Sequence, residues 1–241
     1  MSGDLILVTG ASGQIGISIT KELLRNGFRV VAATRDPDRV RSSQSLPTEV
    51  ELVSADLSSE ADVTNLCGEL AEKSDLTGLV HAARDRGNLS GPDPSEKEWL
   101  SEYWLATVVP FRIATALAKT NSLRSVVALG SIYGLGAQRP DLYESKQSLN
   151  PHYGASRAAV IQIVKDLAVR LAPRTRVNCI SFGGVQGRAE DDFGRRYGEL
   201  APAGRMLEAG DLGGPVCFLL SDDSSGMTGH NLVVDGGWTS W

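Results

Sequence analysis

Short apolar runs alternate with amphipathic stretches along the chain, and the two kinds of segment predict different elements. The apolar runs predict strands at Leu5–Thr9, Arg29–Ala33, Glu51–Ser54, Leu79–Ala82, Ser125–Leu129, Arg176–Ile180 and Asn231–Val234. Amphipathic stretches predict helices at Gln14–Asn26, Glu60–Lys73, Glu102–Lys119 and Tyr153–Leu171. Nearly continuous apolar strands separated by helices are typical of a parallel sheet buried on both faces. The pattern therefore predicts an α/β fold with a doubly wound, seven-stranded parallel sheet and helices on both faces.

The chain has 241 residues, enough for one large core, and no repeat or low-complexity linker divides it. We therefore expect a single domain over residues 1–241. Two segments near 134–151 and 186–207 are rich in Gly, Pro or polar residues and interrupt the alternation. Because loops at the edge of an α/β sheet commonly carry ligand contacts, the first segment is a candidate substrate loop, and the second is one that the family resemblance given below implies.

Charge and cysteine content argue against several classes of partner. The formal net charge is -5 and the 24 Lys and Arg residues are spread along the chain, which disfavours nucleic acid and favours a small-molecule substrate. Cys67, Cys179 and Cys217 are far apart and lack metal-ligand spacing, so we expect neither a metal site nor disulfides. The first residues resemble no signal peptide, and no apolar run is long enough to span a membrane. We expect a cytoplasmic protein without membrane contact.

A glycine turn follows the first predicted strand and opens the first predicted helix. Glycine at such positions permits a tight turn and a close approach of the backbone to a pyrophosphate, whose charge is met by the helix N-terminus. A second apolar strand follows, as in a Rossmann fold. The turn therefore predicts a dinucleotide site. Its candidate cofactor contacts are Gly10, Ser12, Gly13, Gln14, Ile15 and Gly16.

The end of the second strand indicates which dinucleotide is bound. An acidic residue there would receive the ribose hydroxyls of NAD, whereas an arginine would accept the 2′-phosphate of NADP. The chain has Arg35 at this point, with Arg39 nearby, and Asp36 comes one position late for the acidic role. Arg35 is the candidate 2′-phosphate ligand, so NADP is favoured and NAD remains an alternative.

Several further motifs occur in an order that resembles one known family. They are VTGASGQIG, Asp56-Leu57 after the third strand, Ser131, Tyr153-Gly-Ala-Ser-Arg157, and TGHNLVVDGG near the end. Together they make the sequence similar to the short-chain dehydrogenase/reductase family over essentially the whole chain. Length and the C-terminal stretch are like those of its classical branch. Within the family, the ending DGGWTSW and the SIYG segment resemble bacterial sugar-modifying members of flagellin-glycan (nonulosonate) pathways.

The resemblance implies how the site would work. In the family a serine positions the substrate oxygen and a tyrosine gives or takes the proton beside a hydride carrier, which is general acid–base catalysis. Ser131 and Tyr153 occupy these positions, and Arg157 occupies that of the family's lysine, which holds the nicotinamide ribose and favours the phenolate. The further cofactor contacts that the resemblance implies are Asp56, Leu57, His81, Ala82, Ala83, Tyr153, Arg157, Gly183 and Val185.

Other positions depart from the family pattern and indicate an atypical active site. Arg157 keeps the positive charge of the lysine, but a guanidinium does not relay protons. Ala106 stands where the family has an asparagine that supports a relay water. The usual Asn-Asn-Ala-Gly after the fourth strand is here the segment His81–Arg84, the Pro-Gly turn is Phe182-Gly183, and Gly187 replaces a frequent threonine.

Two functions follow from these residues. The first is an NAD(P)-dependent oxidoreductase that interconverts an alcohol and a ketone, with Tyr153 as general acid/base and Ser131 positioning the oxygen. The alternative is a protein that keeps the cofactor pocket without ordinary redox turnover and serves in elimination, epimerisation, cyclisation or regulation. Tyr143 and Lys146 form a less favoured catalytic pair, because their spacing is one residue short of a helical turn.

Charged and apolar surfaces suggest further partners. Arg188, Arg195, Arg196 and Arg205 would attract an anionic substrate, but interleaved acidic residues favour a solvated amphipathic helix instead. The predicted helices near 102–119 and 153–171 carry apolar residues on more than one face. Since related proteins pair these helices, we expect a homodimer or homotetramer, with Trp238 and Trp241 helping to close a contact.

Overall fold

The protein forms a seven-stranded sheet in which every neighbouring pair of strands is parallel, in the order β3-β2-β1-β4-β5-β6-β7. The computed structural model describes residues 3–84, 91–120, 122–143, 149–187 and 191–241. The strands are β1 (Leu5–Thr9), β2 (Arg29–Thr34), β3 (Glu51–Ser54), β4 (Leu76–His81), β5 (Ser125–Leu129), β6 (Arg176–Phe182) and β7 (Asn231–Val234). The predicted doubly wound parallel sheet is confirmed.

Helices connect the strands and cover both faces of the sheet. They are α1 (Gln14–Arg25), α2 (Pro37–Ser42), α3 (Glu60–Ala71), α4 (Glu96–Tyr103), α5 (Val109–Leu117), α6 (Pro151–Leu171), α7 (Asp191–Leu200) and α8 (Gly210–Leu220). A π-helical turn at Trp104–Val108 joins α4 to α5, and short 3-10 turns form at Ala118–Thr120, Ile132–Gly134, Pro140–Leu142 and Asp222–Ser224. Within the described ranges, no helix has both the length and the apolar character to cross a membrane.

The alternation of side chains along β1 builds two cores, one on each face of the sheet. Leu5 and Leu7 point into a cluster with the buried residues of α3, α5 and α6. Ile6 and Val8 point to the opposite face, where α1 and α8 pack. Because successive side chains in a strand face opposite sides, a strand with two helical layers must be apolar at nearly every position. This is why LILVT shows no polar alternation.

The order of strands reverses direction at β1, which lies between β2 and β4. In open α/β sheets the crevice beyond the carboxyl ends of the strands at this switch point is where ligands bind. Thr9 and His81 are paired in register at those ends. The turn after β1 and the segment after β4 are therefore neighbours, although they are far apart in sequence.

Element boundaries differ from the sequence predictions in several places. The helix predicted at Glu102–Lys119 begins earlier, with α4, and is interrupted by the π turn. The serine-led capping box at Ser95 and Glu98 fixes the earlier start. The strand predicted at Leu79–Ala82 starts at Leu76 and ends at His81, because its first residues pair with β1 at Leu5.

The two predicted substrate loops contain regular structure. The first begins at the end of the 3-10 turn Ile132–Gly134 and includes the 3-10 turn Pro140–Leu142, and the second includes α7. The amphipathic helix that the interleaved charges favoured is thus present. Arg195 pairs with Asp192 and Glu199, Arg196 with Asp192, and the arginine at 205 with Asp211. Arg188, Glu190 and Lys146 lie outside the described residues.

Candidate active site

The glycine turn brings backbone atoms closer than any side chain would allow. Gly10 has a φ of +69°, and a Cβ there would lie 2.6 Å from the carbonyl oxygen of Ala82 and 2.7 Å from Cα of Ala83. A Cβ on Gly16 would collide with the carbonyl oxygen of Gly10. The turn after β1 is therefore packed directly against the segment after β4 at Ala82 and Ala83.

The N-terminus of α1 is open to an anion. Gly13 is its N-cap residue and makes no side-chain capping bond, and Ser12 beside it is exposed. The first N–H groups of a helix have no partner within the helix, and the helix dipole favours negative charge at this end. These features fit the pyrophosphate of a dinucleotide.

Gln14 links this helix start to the loop after β6. Its side-chain amide donates a hydrogen bond to the carbonyl oxygen of Gln186, and Gly187 lies directly against the same amide. That loop is itself held in place, because Gly183 donates to Val234 and Val185 forms an isolated bridge with Leu207. Gln14 at the start of α1 is thus in contact with the loop that carries Gly183 and Val185.

The end of β2, where the sequence analysis predicted the adenosine to bind, carries an exposed cation. Arg35 follows β2 and forms neither a hydrogen bond nor an ion pair within the described ranges. Asp36 is committed to capping α2, since its carboxylate accepts the backbone N–H of Arg39 at 2.9 Å. Asp56 accepts hydrogen bonds from the backbone and side chain of Ser58, which together with the charge of Arg35 hold its pKa below the usual value.

Leu57 and the π turn meet behind Asp56. The backbone carbonyl of Leu57 accepts a hydrogen bond from the indole nitrogen of Trp104 at 2.8 Å, while the Leu57 side chain is buried. Ala106, which was predicted to stand where the family has an asparagine, is fully buried in the π turn. A π-helical turn often marks a functional segment, and here it leaves backbone carbonyls off the regular helical pattern.

His81 is buried at the end of β4 and is held in one tautomer. Its Nε2 lies 2.8 Å from the carbonyl oxygen of Leu105, which can only accept, so Nε2 carries the proton. Nδ1 then accepts the hydroxyl proton of Thr9 at 2.9 Å. Burial, reinforced by the nearby charge of Arg157, lowers the pKa of His81 to about 4. The imidazole is neutral near pH 7 and ties β1 and β4 to the π turn.

Ser131 lies on a turn that is pressed against α6. Its hydroxyl oxygen accepts the backbone N–H of Tyr133 at 3.2 Å and caps the 3-10 turn Ile132–Gly134. A Cβ on Gly134 would lie 2.7 Å from the backbone carbon of Arg157, and one on Gly154 would lie 3.1 Å from the carbonyl oxygen of Tyr133. The structure therefore brings the turn of Ser131 onto the same part of α6 that carries Tyr153.

Arg157 is buried in an ion pair with Glu102 of α4. Its Nη2 lies 2.7 Å from a carboxylate oxygen of Glu102, and the two side chains are only 5% and 1% exposed. Its Nη1 donates to the carbonyl of Leu129 at 3.2 Å. Ser156 donates to the same carboxylate oxygen of Glu102. The positive charge predicted to serve the cofactor is thus matched by a negative charge that the sequence analysis did not identify.

Tyr153 lies between two guanidinium groups. That of Arg84 is 4.0 Å from the centre of the phenol ring, and that of Arg157 is 5.0 Å from it. Cations at such distances are attracted to the face of an aromatic ring. The ring of Tyr133 meets Tyr153 edge-on at 6.4 Å. Arg84 was noted in sequence only as a departure from the family motif, so its place beside Tyr153 is new.

An aromatic cluster covers the site on the side of α7. Tyr197 stacks on Trp238 with ring centres 4.2 Å apart, and the Tyr197 hydroxyl accepts the backbone N–H of Gly184 at 2.8 Å. Burial raises the pKa of Tyr197 to about 12, so it stays a neutral phenol. Tyr143 packs against Phe193 of α7 and its hydroxyl lies 2.7 Å from that of Tyr133. Both predicted substrate loops thus meet here.

One further histidine is buried, and the three cysteines are free. His152 is buried on α6 beside Trp99. The three cysteines at 67, 179 and 217 carry no disulfide. Over the ranges that the structure describes, no group of His, Cys, Asp and Glu side chains is arranged to hold a metal ion.

The sheet order and the glycine turn at its switch point define the class of protein as one with a Rossmann-type nucleotide-binding fold. Comparison with known proteins narrows the class. A family model described as Enoyl-(Acyl carrier protein) reductase matches residues 10–239. The chain is 28% identical to sorbose reductase of Schizosaccharomyces pombe, with 100% of this chain and 97% of that protein covered.

A second relative and a solved structure indicate the same family. The chain is 27% identical to Post-translational flagellin modification protein A of Campylobacter coli, covering 99% of each. A crystal structure of a short-chain dehydrogenase from Leptospira borgpetersenii with bound NAD+ superposes with a TM-score of 0.87 at 27% identity, covering 99% of this chain and 94% of that one. The chain belongs to the short-chain dehydrogenase/reductase family, a family of nicotinamide-dependent oxidoreductases, as the sequence motifs predicted.

Proposed function

We propose that this protein is an NADP-dependent oxidoreductase that interconverts an alcohol and a ketone on a small molecule. The observation that supports it is the convergence of Ser131 and Tyr153 on one part of α6, next to the crevice that begins at the glycine turn. The residues of that crevice fit a dinucleotide, because the start of α1 is uncapped and the backbone approach at Gly10 excludes any side chain.

The chain's own groups would divide the acid–base work. When bound, the reduced nicotinamide supplies the hydride that adds to the carbonyl carbon. The Tyr153 phenol gives its proton to the carbonyl oxygen as that bond forms, and takes one back in the reverse direction. The Ser131 oxygen already accepts an N–H, so its own proton is the one available to hold the substrate oxygen.

Replacing Tyr153 with phenylalanine tests this assignment. We expect Tyr153→Phe to lower kcat for ketone reduction by about 10²- to 10⁴-fold, the usual contribution of a positioned general acid. NADPH binding, followed by its fluorescence, should be retained. The substrates for the assay are a panel of ketones that includes neutral and phosphorylated ketoses.

Tyr103→Phe is the matched control, since Tyr103 lies on α4 and its ring stacks with that of Trp99. Its turnover should equal that of the unaltered protein. Tyr153→Phe turnover at the unaltered rate would contradict the proposed mechanism.

The choice of NADP over NAD rests on Arg35. The residue is exposed at the end of β2, and Asp36, which would otherwise favour NAD, is engaged in capping α2. Charge-assisted hydrogen bonds to a phosphate contribute about 1.5 to 3 kcal/mol, which corresponds to roughly 10- to 150-fold in affinity. Arg35→Ala should therefore weaken NADPH binding by at least about tenfold and leave NADH binding unchanged. Equal affinity of the unaltered protein for NADPH and NADH would refute the NADP assignment.

One observation favours the second candidate function, a family member without ordinary redox turnover. Arg157 is neutralised by Glu102 and buried, so it differs from the mobile lysine it replaces. In that case NADPH would bind, but no ketone of the panel would be reduced and no alcohol oxidised. Stoichiometric binding without absorbance change at the nicotinamide band would identify this outcome.

A further inference from the structure

The charges that the described residues place around Tyr153 do not cancel. Arg157 and Glu102 neutralise each other in their buried pair, and His81 is uncharged near pH 7 because its pKa is depressed. Among the described residues no carboxylate pairs with Arg84, whose guanidinium lies at the ring. The described side chains of β4, α4 and α6 and of the segment just after β4 thus carry a net positive charge around Tyr153.

Arg84 has unused hydrogen-bonding capacity. Its Nε is buried and has no hydrogen-bond partner, and within the described ranges the guanidinium forms no ion pair. A guanidinium offers five N–H donors in a planar fork, and a buried donor that lacks an acceptor costs free energy. Stacking on the ring of Tyr153 holds the fork in place but satisfies none of these donors.

The position of Arg84 indicates which kind of molecule would supply a hydrogen-bond acceptor for its guanidinium. Its guanidinium is 4.0 Å from the centre of the ring whose hydroxyl serves as proton donor in the proposed function. A molecule that places its carbonyl at the Tyr153 hydroxyl therefore has an oxyanion-binding group close beside it. We propose that Arg84 binds an anionic group of the substrate, a carboxylate or a phosphate, beside the reacting carbonyl. This inference rests on the proposed function, because both concern the same site.

The proposal differs from the arginine-rich segment around α7 that the sequence suggested. Arg195 and Arg196 are already paired with Asp192 and Glu199 on the same helix, so they offer no unmatched charge. Arg84 has no such partner among the described residues. In this proposal Arg84, which follows β4, recognises the negative charge of the substrate at the centre of the site.

Matched pairs of small ketones test the proposal. Acetoacetate with its methyl ester, and dihydroxyacetone phosphate with dihydroxyacetone, differ by one anionic group and separate the carboxylate from the phosphate source. The affinity of each probe for the complex with NADP+ is measured by calorimetry, and kcat/KM is measured with NADPH. The unaltered protein should favour the charged member of at least one pair by about tenfold or more.

Three variants assign the preference to Arg84. Arg84→Met keeps the aliphatic stem and should remove the preference in both binding and kcat/KM. Arg84→Lys keeps the charge without the fork and should retain part of it. Arg25→Met, an exposed arginine at the far end of α1, removes one charge elsewhere and should keep the full preference. Far-ultraviolet circular dichroism reports that each variant is folded.

The outcomes separate this proposal from the proposed function. Anion binding that depends on Arg84 without any turnover would support the proposal and refute redox activity. Turnover with equal preference for charged and neutral members, or no binding of either, would overturn the proposal. A loss of NADPH affinity in Arg84→Met with an unchanged ratio between the members of each pair would also overturn it, because Arg84 would then serve the cofactor.

Discussion

Glu102 and Arg157 show how a substitution at one residue is tied to a second, distant one. The pair joins residues 55 positions apart, and both side chains are nearly inaccessible. Breaking a buried ion pair is costly because a charge is left without solvent or partner, whereas replacing both members with apolar residues is often neutral. We therefore expect the buried charge of Arg157 to depend on the presence of Glu102.

This coupling is measurable by unfolding. Glu102→Met leaves Arg157 charged and buried, so we expect a loss of about 3 to 5 kcal/mol in the free energy of unfolding by urea. The double variant Glu102→Met with Arg157→Met should recover most of that loss. Additive losses in the double variant would show that the two residues do not stabilise each other.

His81 makes stability depend on pH. Its folded pKa is about 4 against an ordinary value of 6.5, so between these values the unfolded chain binds more protons than the folded one. The contribution of His81 to the free energy of unfolding is fully present above pH 6.5. It decreases by roughly 3 kcal/mol as the pH falls toward 4. Asp56 and Asp75, whose pKa values are lowered, add losses of the same sign in acid.

Comparison with His81→Gln isolates the histidine. Urea unfolding at several pH values between 7 and 4 should give a shallower decline for this variant, since glutamine does not titrate. Parallel curves for the two proteins would contradict the assignment of the slope to His81.

At the scale of single residues, part of the candidate site can be predicted from the sequence. Tyr153 and Arg157 are one helical turn apart, so their proximity follows from spacing alone. The roles of Glu102 and Arg84 depend on where α4 and the segment after β4 come to lie, which local spacing does not determine. Ion pairs and ring contacts between distant segments arise only from the packed structure.

At the scale of elements, the site depends on how closely the turn of Ser131 approaches α6. Gly134 meets the backbone of that helix, so the spacing between the turn and the helix is set by the absence of a side chain.

Strands were predicted well because most of them are nearly continuous apolar runs. Helix boundaries were predicted less well, because α4 begins at a polar capping box and α8 is too evenly apolar to show a helical period.

Two alanine substitutions test the close approach. In Gly134→Ala the new Cβ would lie 2.7 Å from backbone of α6, and overpacking of this kind costs about 1 to 3 kcal/mol. In Gly136→Ala nothing lies within 4 Å, so the change should stay within about 1 kcal/mol. Thermal unfolding of both variants gives the comparison. Equal stability of the two would mean that the turn is free to move away from the helix.

At the scale of the whole molecule, topology was the most predictable property. Parallel strands need crossover helices, and those crossovers are right-handed, so the alternation in sequence restricts the possible sheets to a few. The oligomeric state is harder to predict from the sequence, because it depends on which residues lie on the surface of the folded protein. Val169 on α6 is 82% exposed and Val108 in the π turn is 37% exposed, in the helices predicted to form the subunit contact.

A charge on this surface tests that contact. We expect the protein to be a homodimer or homotetramer by light scattering, and Val169→Glu should reduce its molar mass, because a buried carboxylate without a partner is unfavourable at an interface. Thr48→Glu, on the exposed segment before β3, should not change the molar mass. A monomer in the unaltered protein would show that these helices have no partner.

The stacked rings of Tyr197 and Trp238 have a practical consequence. We expect the fluorescence of Trp238 to report the position of α7, since the ring of Tyr197 on that helix lies 4.2 Å away. Subtracting the spectrum of Trp238→Phe isolates its signal from those of the other tryptophans. Any molecule that shifts α7 on entering the crevice would alter that signal, so compound libraries can be screened by light before a single catalytic turnover has been observed.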